Sequence, residues 1–130
     1  MEKMVIQNIT QLTDTPYMNK DQIAYFKNKL IQQKMEIQEK MTQLRKKLTN
    51  MKANQPDILD QSNYLMEMEK EIHAQERYSI RLRQIHRALD RIETGGFGYC
   101  EYTGDEIGLR RLEILPFTTV CVHAMEEFAS

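Results

Sequence analysis

The sequence predicts a mainly α protein: a long antiparallel helical hairpin (a coiled coil), a small globular knuckle with the outline of a degenerate zinc finger, and a short C-terminal helix. Three observations predict it. Apolar residues recur at steps of three, four and seven along two stretches of about 35 residues each. A proline segment separates the stretches and a glycine pair closes the second. Residues 97–121 then lose the helical period and gather Gly98, Gly104, Gly108 and Pro116 around two cysteines.

Taken in order, residues 1–16 show no clear period and read as a loose N-terminal leader. The helical signal begins at "PYMNKDQIAYF", where Asn19 is placed to cap a helix and Gln22, three residues on, completes a capping box. Ile23, Phe26, Leu30, Ile37, Met41, Leu44, Leu48 and Met51 then form a seam, so one helix is expected from about 19 to 53. In "ANQPD", Pro56 lacks a donor and disfavours a helical lead-in, which ends that helix. Leu65, Met68, Ile72, Tyr78, Leu82, Ile85, Leu89 and Ile92 mark the second helix, irregular between 72 and 78, and Gly95-Gly96 terminates it. A short turn joins the two, so they are expected to run antiparallel over 17–94, with a tip at 54–62. At about 1.5 Å per residue each spans roughly 50 Å, which would put the tip far from the rest of the chain. The segment 95–130 is the globular region, with β-prone pieces such as "FTTVCV" and a last helix from about Cys121.

Composition narrows the function classes. The 130-residue chain is 28% charged with a net charge of −1, against strong non-specific nucleic-acid binding. Residues 1–53 hold ten Lys/Arg and five Asp/Glu, whereas residues 95–130 hold two and six, a polarity suited to a partner of mixed charge. Two cysteines are too few for a disulfide scaffold, and "MEKMVIQNITQL" lacks a signal-peptide core. No run of 18 apolar residues exists. The expectation is a reduced cytoplasmic setting with free thiols, where the glycosylation pattern at Asn8–Thr10 carries no weight.

No nucleophile–base pair, phosphate loop or metalloprotease helix is present, so no enzyme is expected. Asp57 and Asp60 flank Ile58-Leu59 at the start of the second helix. Carboxylates there suit the helix dipole, and on a long stalk they can also be delivered to Mg²⁺, arginines or a mobile loop of another molecule. Most of the nine methionines, Met66 and Met68 included, read as packing residues, and Tyr64 as an exposed anchor near the tip. His73 and His86 read as solvated. Arg77, Arg81, Arg83, Arg87 and Arg91 form a basic stretch, either a solvated face or a contact for an acidic partner or anionic ligand.

"FGYCEYTGDEIGLRRLEILPFTTVC", "YMNKDQIAYFKNKL" and the tip "NQPDILDQS" together resemble the DksA/TraR family of bacterial RNA polymerase-binding factors over roughly residues 17–128. The resemblance implies a hairpin inserted through the secondary channel of RNA polymerase, with Asp57 and Asp60 near the catalytic centre. It implies a factor that binds polymerase and does not read DNA; a monomer without membrane contact is expected. Such a factor destabilises promoter complexes, lowers ribosomal RNA transcription, and often acts with ppGpp.

Three departures qualify it. Ser62 replaces the family's tip alanine, and its hydroxyl competes for local hydrogen bonds. Of the basic positions implied to face ppGpp, Arg77 is kept, with Arg81 as a further possible contact, while Gln84, Leu115 and Met125 stand where cations are expected. Weakened ppGpp cooperation follows, because several phosphate charges need several cationic contacts. Finally, the four-cysteine zinc pattern has become Cys100-x-x-Thr103 and Cys121-x-x-Ala124. Zinc is not expected; a rescue through His123 or Asp105 is the alternative. The knuckle would instead hold by a core of Ile107, Leu112, Phe117 and Val120, as in the family's two-cysteine members. Two other functions stay open: a stimulator of transcript cleavage at the polymerase active site, and a plain coiled-coil adaptor.

Overall fold

The computed structural model describes residues 16–54, 57 and 60–129. The expected leader, the glycosylation pattern, and Pro56, Ile58 and Leu59 of the tip lie outside them. Four helices follow in order: α1 (Lys20–Ala53), α2 (Gln61–Thr94), α3 (Leu109–Ile114) and α4 (Val122–Ala129). Among the described residues there is no strand, only an isolated antiparallel bridge between Tyr99 and Glu106. The β-prone "FTTVCV" forms turns that lead into α4.

The ends of the long helices follow local chemistry. The backbone N–H of Gln22 donates to Asn19 Oδ1 at 2.9 Å, and Gln22 Oε1 accepts from the N–H of Met18 at 2.6 Å and of Asn19 at 3.4 Å. This is a reciprocal capping box, and it leaves Gln22 buried with its polar atoms satisfied. At the end of α2 the N–H groups of Gly96 and Phe97 converge on the Arg91 carbonyl at 2.9 and 3.1 Å. Gly95 turns the chain there with φ 86°, a conformation that costs a β-carbon-bearing residue strain.

The chain divides into two compact units, one made of Gln33–Arg83 and the other of the described residues up to Gln32 and from Gln84 onward. In the first unit, α1 and α2 pack as a hairpin. Met41 and Leu44 are buried, and Ile37, Leu48 and Met51 half-buried, along the expected α1 seam. The α2 seam differs from the sequence expectation. Leu65 and Ile72 face solvent, at 62% and 45% exposure. The half-buried positions are Tyr64, Glu67, Met68, Glu71, Ala74, Gln75, Tyr78, Ser79 and Leu82, and among them 64, 68, 71, 75, 78 and 82 keep a heptad spacing. Glu71 can occupy the seam because α1 supplies it a partner: Lys47 Nζ bridges Glu67 and Glu71 at 2.9 and 2.7 Å. These bonds push the Lys47 ammonium up to about 12. Tyr64, expected as an exposed anchor, is half-buried, and Met66, expected to pack, is 69% exposed.

The second unit has the fuller core. Phe26 and Leu30 of α1, Ile85 and Ala88 of α2 and Leu112 of α3 are fully excluded from solvent. Phe26 meets Phe97 with ring centroids 5.9 Å apart. Burying a large apolar side chain contributes about 1.5–3 kcal/mol, so these residues dominate the unit's stability. The short helix α3 interrupts the segment expected to be irregular and is locked to α1. Tyr25 Oη donates to the Glu113 carboxylate at 2.8 Å and Lys29 Nζ to the Glu113 carbonyl at 2.7 Å. Tyr17 ties the loops: its hydroxyl donates to the Gly98 carbonyl at 2.6 Å and accepts from the Gly108 N–H at 2.9 Å. Gly98 has φ 92°, and a Cβ there would overlap the Met18 side chain.

Candidate functional site

At the tip, Asp57, Asp60 and Ser62 are all exposed. The Asp60 N–H donates to the Asp57 carbonyl at 3.0 Å, so a backbone turn holds the two aspartates together at the head of α2. Arg77 and Arg81 are exposed farther along α2, and Gln84, Leu115 and Met125 belong to the other compact unit.

In the knuckle, Cys100 (2% exposed), Cys121 (7%) and Ala124 (1%) form a small buried cluster with Val120 against it. Both cysteines are free thiols. Thr103 Oγ1 lies 3.7 Å from Cys121 Sγ and accepts from the Asp105 N–H at 3.2 Å. The Ala124 N–H points at Cys121 Sγ from 3.4 Å. The Cys100 thiol is pushed up by burial, but hydrogen bonds from the Thr103 side chain and from backbone N–H groups of Cys121, Thr103 and Tyr102 outweigh this and bring it down to about 6. The hydrogen bonds therefore favour a thiolate, the form that nucleophilic chemistry and metal ligation require.

The donor set does not fit a structural zinc site. Such a site takes four ligands in a closed tetrahedron, and here a methyl group and a hydroxyl stand with only two sulfurs. Among the described residues no three His, Cys, Asp or Glu gather where they could hold a metal ion. His123 is exposed on α4 and faces Glu127 at 4.0 Å, and Asp105 is exposed.

The knuckle also holds a polar node that no local sequence pattern marks. Glu101 accepts from Arg87 Nε at 2.6 Å and from Thr119 Oγ1 at 3.0 Å, and Arg91 Nη1 stands 3.7 Å away. Burial raises its carboxyl, but these partners win and hold it below the usual range. Arg91 also donates to the carbonyls of Gly96 and Tyr99, both at 2.9 Å. At least two of the five arginines in the basic stretch are thus engaged in joining α2 to the knuckle. Only the overall charge balance hints at it, an acid-rich 95–130 segment following an arginine-rich helix end.

Fold and donor pattern together define a helical-hairpin protein with a knuckle derived from a zinc finger. Residues 22–92 match the family described as DnaK suppressor protein DksA, N-terminal domain, and residues 95–127 match the prokaryotic dksA/traR C4-type zinc finger. The chain belongs to the DksA/TraR family, whose members are transcription factors and not enzymes. It is 37% identical over 113 residues to the RNA polymerase-binding transcription factor DksA of Caulobacter vibrioides, covering 87% of this chain and 80% of that one. The Escherichia coli protein of the same name is 31% identical over 106 residues, covering 82% and 70%. Among solved structures, transcription factor DksA2 from Pseudomonas aeruginosa superposes with a TM-score of 0.81 at 29% identity, covering 92% of this chain and 94% of that one. The RNA polymerase binding protein and transcriptional regulator Dks of Chlamydia trachomatis gives a TM-score of 0.52 at 27% identity, covering 86% and 92%.

Proposed function

We propose that this chain binds RNA polymerase through its secondary channel, without reading DNA, and alters transcription initiation. The observation that carries the reading is the exposed Asp57–Asp60 pair between two long helices, in a chain whose family matches cover residues 22–92 and 95–127. The relatives' shared name, RNA polymerase-binding transcription factor, supports the choice of partner. A net charge of −1 supports a protein partner over a DNA duplex. The tip carboxylates act by charge and hydrogen bonding on the polymerase's metal ion or mobile elements, and Ser62 tunes that contact.

The knuckle serves this role without zinc, a reading supported by Thr103 and Ala124 at two of the four ligand positions. ppGpp cooperation is weak, with Arg77 and Arg81 as the cations left to meet it. The protein works as a monomer in the cytoplasm; no helix among the described residues is long and apolar enough to cross a membrane.

The lifetime of a ribosomal RNA promoter complex, timed after competitor addition, tests the reading. The wild-type chain shortens it, and the doubly substituted Asp57→Asn/Asp60→Asn chain leaves it unchanged. A wild-type chain with no effect on any promoter complex removes the proposal.

A further inference from the structure

The distal half of the hairpin separates its charges between its two helices. Residues 40–56 carry five Lys/Arg and no Asp/Glu, whereas residues 57–76 carry six Asp/Glu and one Lys. The bridges from Lys47 to Glu67 and Glu71 join the two signs across the seam. Arg45 and Lys46 are exposed, and among the described residues neither has an ion-pair partner. Thr42, Arg45, Lys46, Thr49 and Asn50 follow helical spacing and share one exposed face, while Met41 and Leu44 are buried on another. Those five residues line a groove of about 390 Å³ that is open to solvent. Lys46 and Asn50 also border a second open groove, of about 530 Å³, to which Gln43, Asn54 and the half-buried Tyr64 contribute. The two grooves therefore run together along α1, over about 18 Å from 42 to 54.

The lining selects the occupant. Unpaired cations on an acid-free face call for an anion. A protein partner is disfavoured, because interface centres use apolar and aromatic anchors and avoid lysine. Among the described residues of α1 beyond Met35, no large hydrophobic side chain is exposed. A nucleic-acid duplex is too broad: its major groove alone is about 12 Å wide, as wide as one helix, so it would overlap α2 and its carboxylates. A free nucleotide binds best in a pocket that buries most of it, and these grooves are open. A single strand fits, since it follows a cationic groove with its phosphates and stacks bases on an aromatic side chain. The threonines favour RNA. Thr42 Oγ1 donates to the Gln38 carbonyl at 3.0 Å and Thr49 Oγ1 to the Arg45 carbonyl at 2.9 Å. Their hydrogens are committed, so both oxygens face an occupant as acceptors, which a ribose 2′-hydroxyl can satisfy and a phosphate cannot.

We infer that the outer face of α1 between Thr42 and Asn54 is a binding site for single-stranded RNA. Arg45 and Lys46 hold phosphates, the threonine oxygens accept from ribose, and Asn50, Asn54 and Tyr64 meet the bases. The site is separate from the tip carboxylates and goes beyond the polymerase reading.

Fluorescence anisotropy of a short labelled oligouridylate, titrated with the full chain at several salt concentrations, tests it. The wild-type chain should bind this strand about tenfold more tightly than the same strand paired with oligoadenylate, and more tightly than its deoxy counterpart. Arg45→Gln/Lys46→Gln should weaken binding about tenfold and lower the slope of log affinity against log salt by about 1.4, at about 0.7 per phosphate contact. Lys20→Gln/Arg83→Gln removes the same charge from exposed sites elsewhere and should change affinity less than about twofold. Melting temperatures check that both variants fold; if the first does not, Arg45→Gln and Lys46→Gln are measured singly, each with half the slope change. No binding by wild type, or equal affinity for the duplex or the deoxy strand, overturns the inference. Equal losses in the two double variants also overturn it, because net charge alone would then explain binding. Displacement of the RNA by polyglutamate at matched charge would assign the face to an acidic protein segment and overturn it as well. None of these outcomes touches the promoter-complex effect proposed above.

Discussion

The Thr103 hydroxyl lies 3.7 Å from the Cys121 sulfur and is also a hydrogen-bond partner of the Cys100 thiol. One side chain thus ties together the two sulfurs that a metal ion would otherwise hold. Ala124 completes the substitution, its methyl filling the cluster and its N–H aimed at Cys121 Sγ. Packing and weak polar contacts join these four positions.

Thr103→Val removes that hydroxyl and keeps the shape. The expected cost is about 1 kcal/mol, the usual net value of a hydrogen bond, read as a lower urea midpoint with unchanged slope. A change of 3 kcal/mol or more would mean that Thr103 does something larger than join two thiols.

The Cys100 thiol has a pH signature. Its folded value of about 6 lies below the usual unfolded value of about 8.5. A group depressed in this way adds stability that is fully present above the unfolded value and lost as pH falls through the folded one. The melting-temperature advantage of wild type over Cys100→Ala should therefore be largest near pH 9 and shrink toward pH 6. Alkylation of Cys100 should show a midpoint near 6, slowed in absolute rate by burial, and Thr103→Val should move that midpoint upward.

Restoring the missing donors tests the metal argument from the other side. Thr103→Cys/Ala124→Cys recreates two Cys-x-x-Cys pairs at zinc-finger spacing. The double variant should bind one zinc per chain in a competition with a chromophoric chelator and gain thermal stability from it. Wild type should do neither. Stoichiometric zinc on the wild-type chain would mean that donors beyond the two sulfurs complete the site.

The two long helices pair along a seam that Leu30 fills and Leu65 does not. Leu30→Ala should cost about 2–5 kcal/mol, whereas Leu65→Ala should stay within about 0.5 kcal/mol, as exposed substitutions do. Chemical denaturation of the two variants compares them directly. Equal losses would restore the seam phase that hydrophobic periodicity alone suggests.

That phase shows what was legible and what was not. Asn19, Gln22, Pro56 and Gly95 mark the helix ends by local chemistry, so the boundaries of α1 and the end of α2 could be read within a residue or two. Across 64–75, by contrast, hydrophobic periodicity points to Leu65 and Ile72, which lie off the line of the true seam. Glu71 sits on that line because Lys47, distant in sequence, meets it, and no local pattern announces such a pair. The helix α3 was invisible for another reason: six residues make fewer than two turns, and its register is set by Tyr25 and Lys29 acting on Glu113. The acidic tip and the altered cysteine pattern were plain in the sequence. The tethering of Glu101 by Arg87 and Arg91 was not, since it depends on how α2 meets the knuckle.

The most direct test of the account is transcription in vitro from a ribosomal RNA promoter with purified polymerase, run with and without a strong zinc chelator that spares Mg²⁺. The account predicts that the wild-type chain lowers transcript yield equally in both, that Asp57→Asn/Asp60→Asn abolishes the effect while leaving the melting temperature unchanged, and that added ppGpp increases it little. An effect that disappears with the chelator at concentrations that spare the polymerase, or that survives loss of both tip carboxylates, would contradict it.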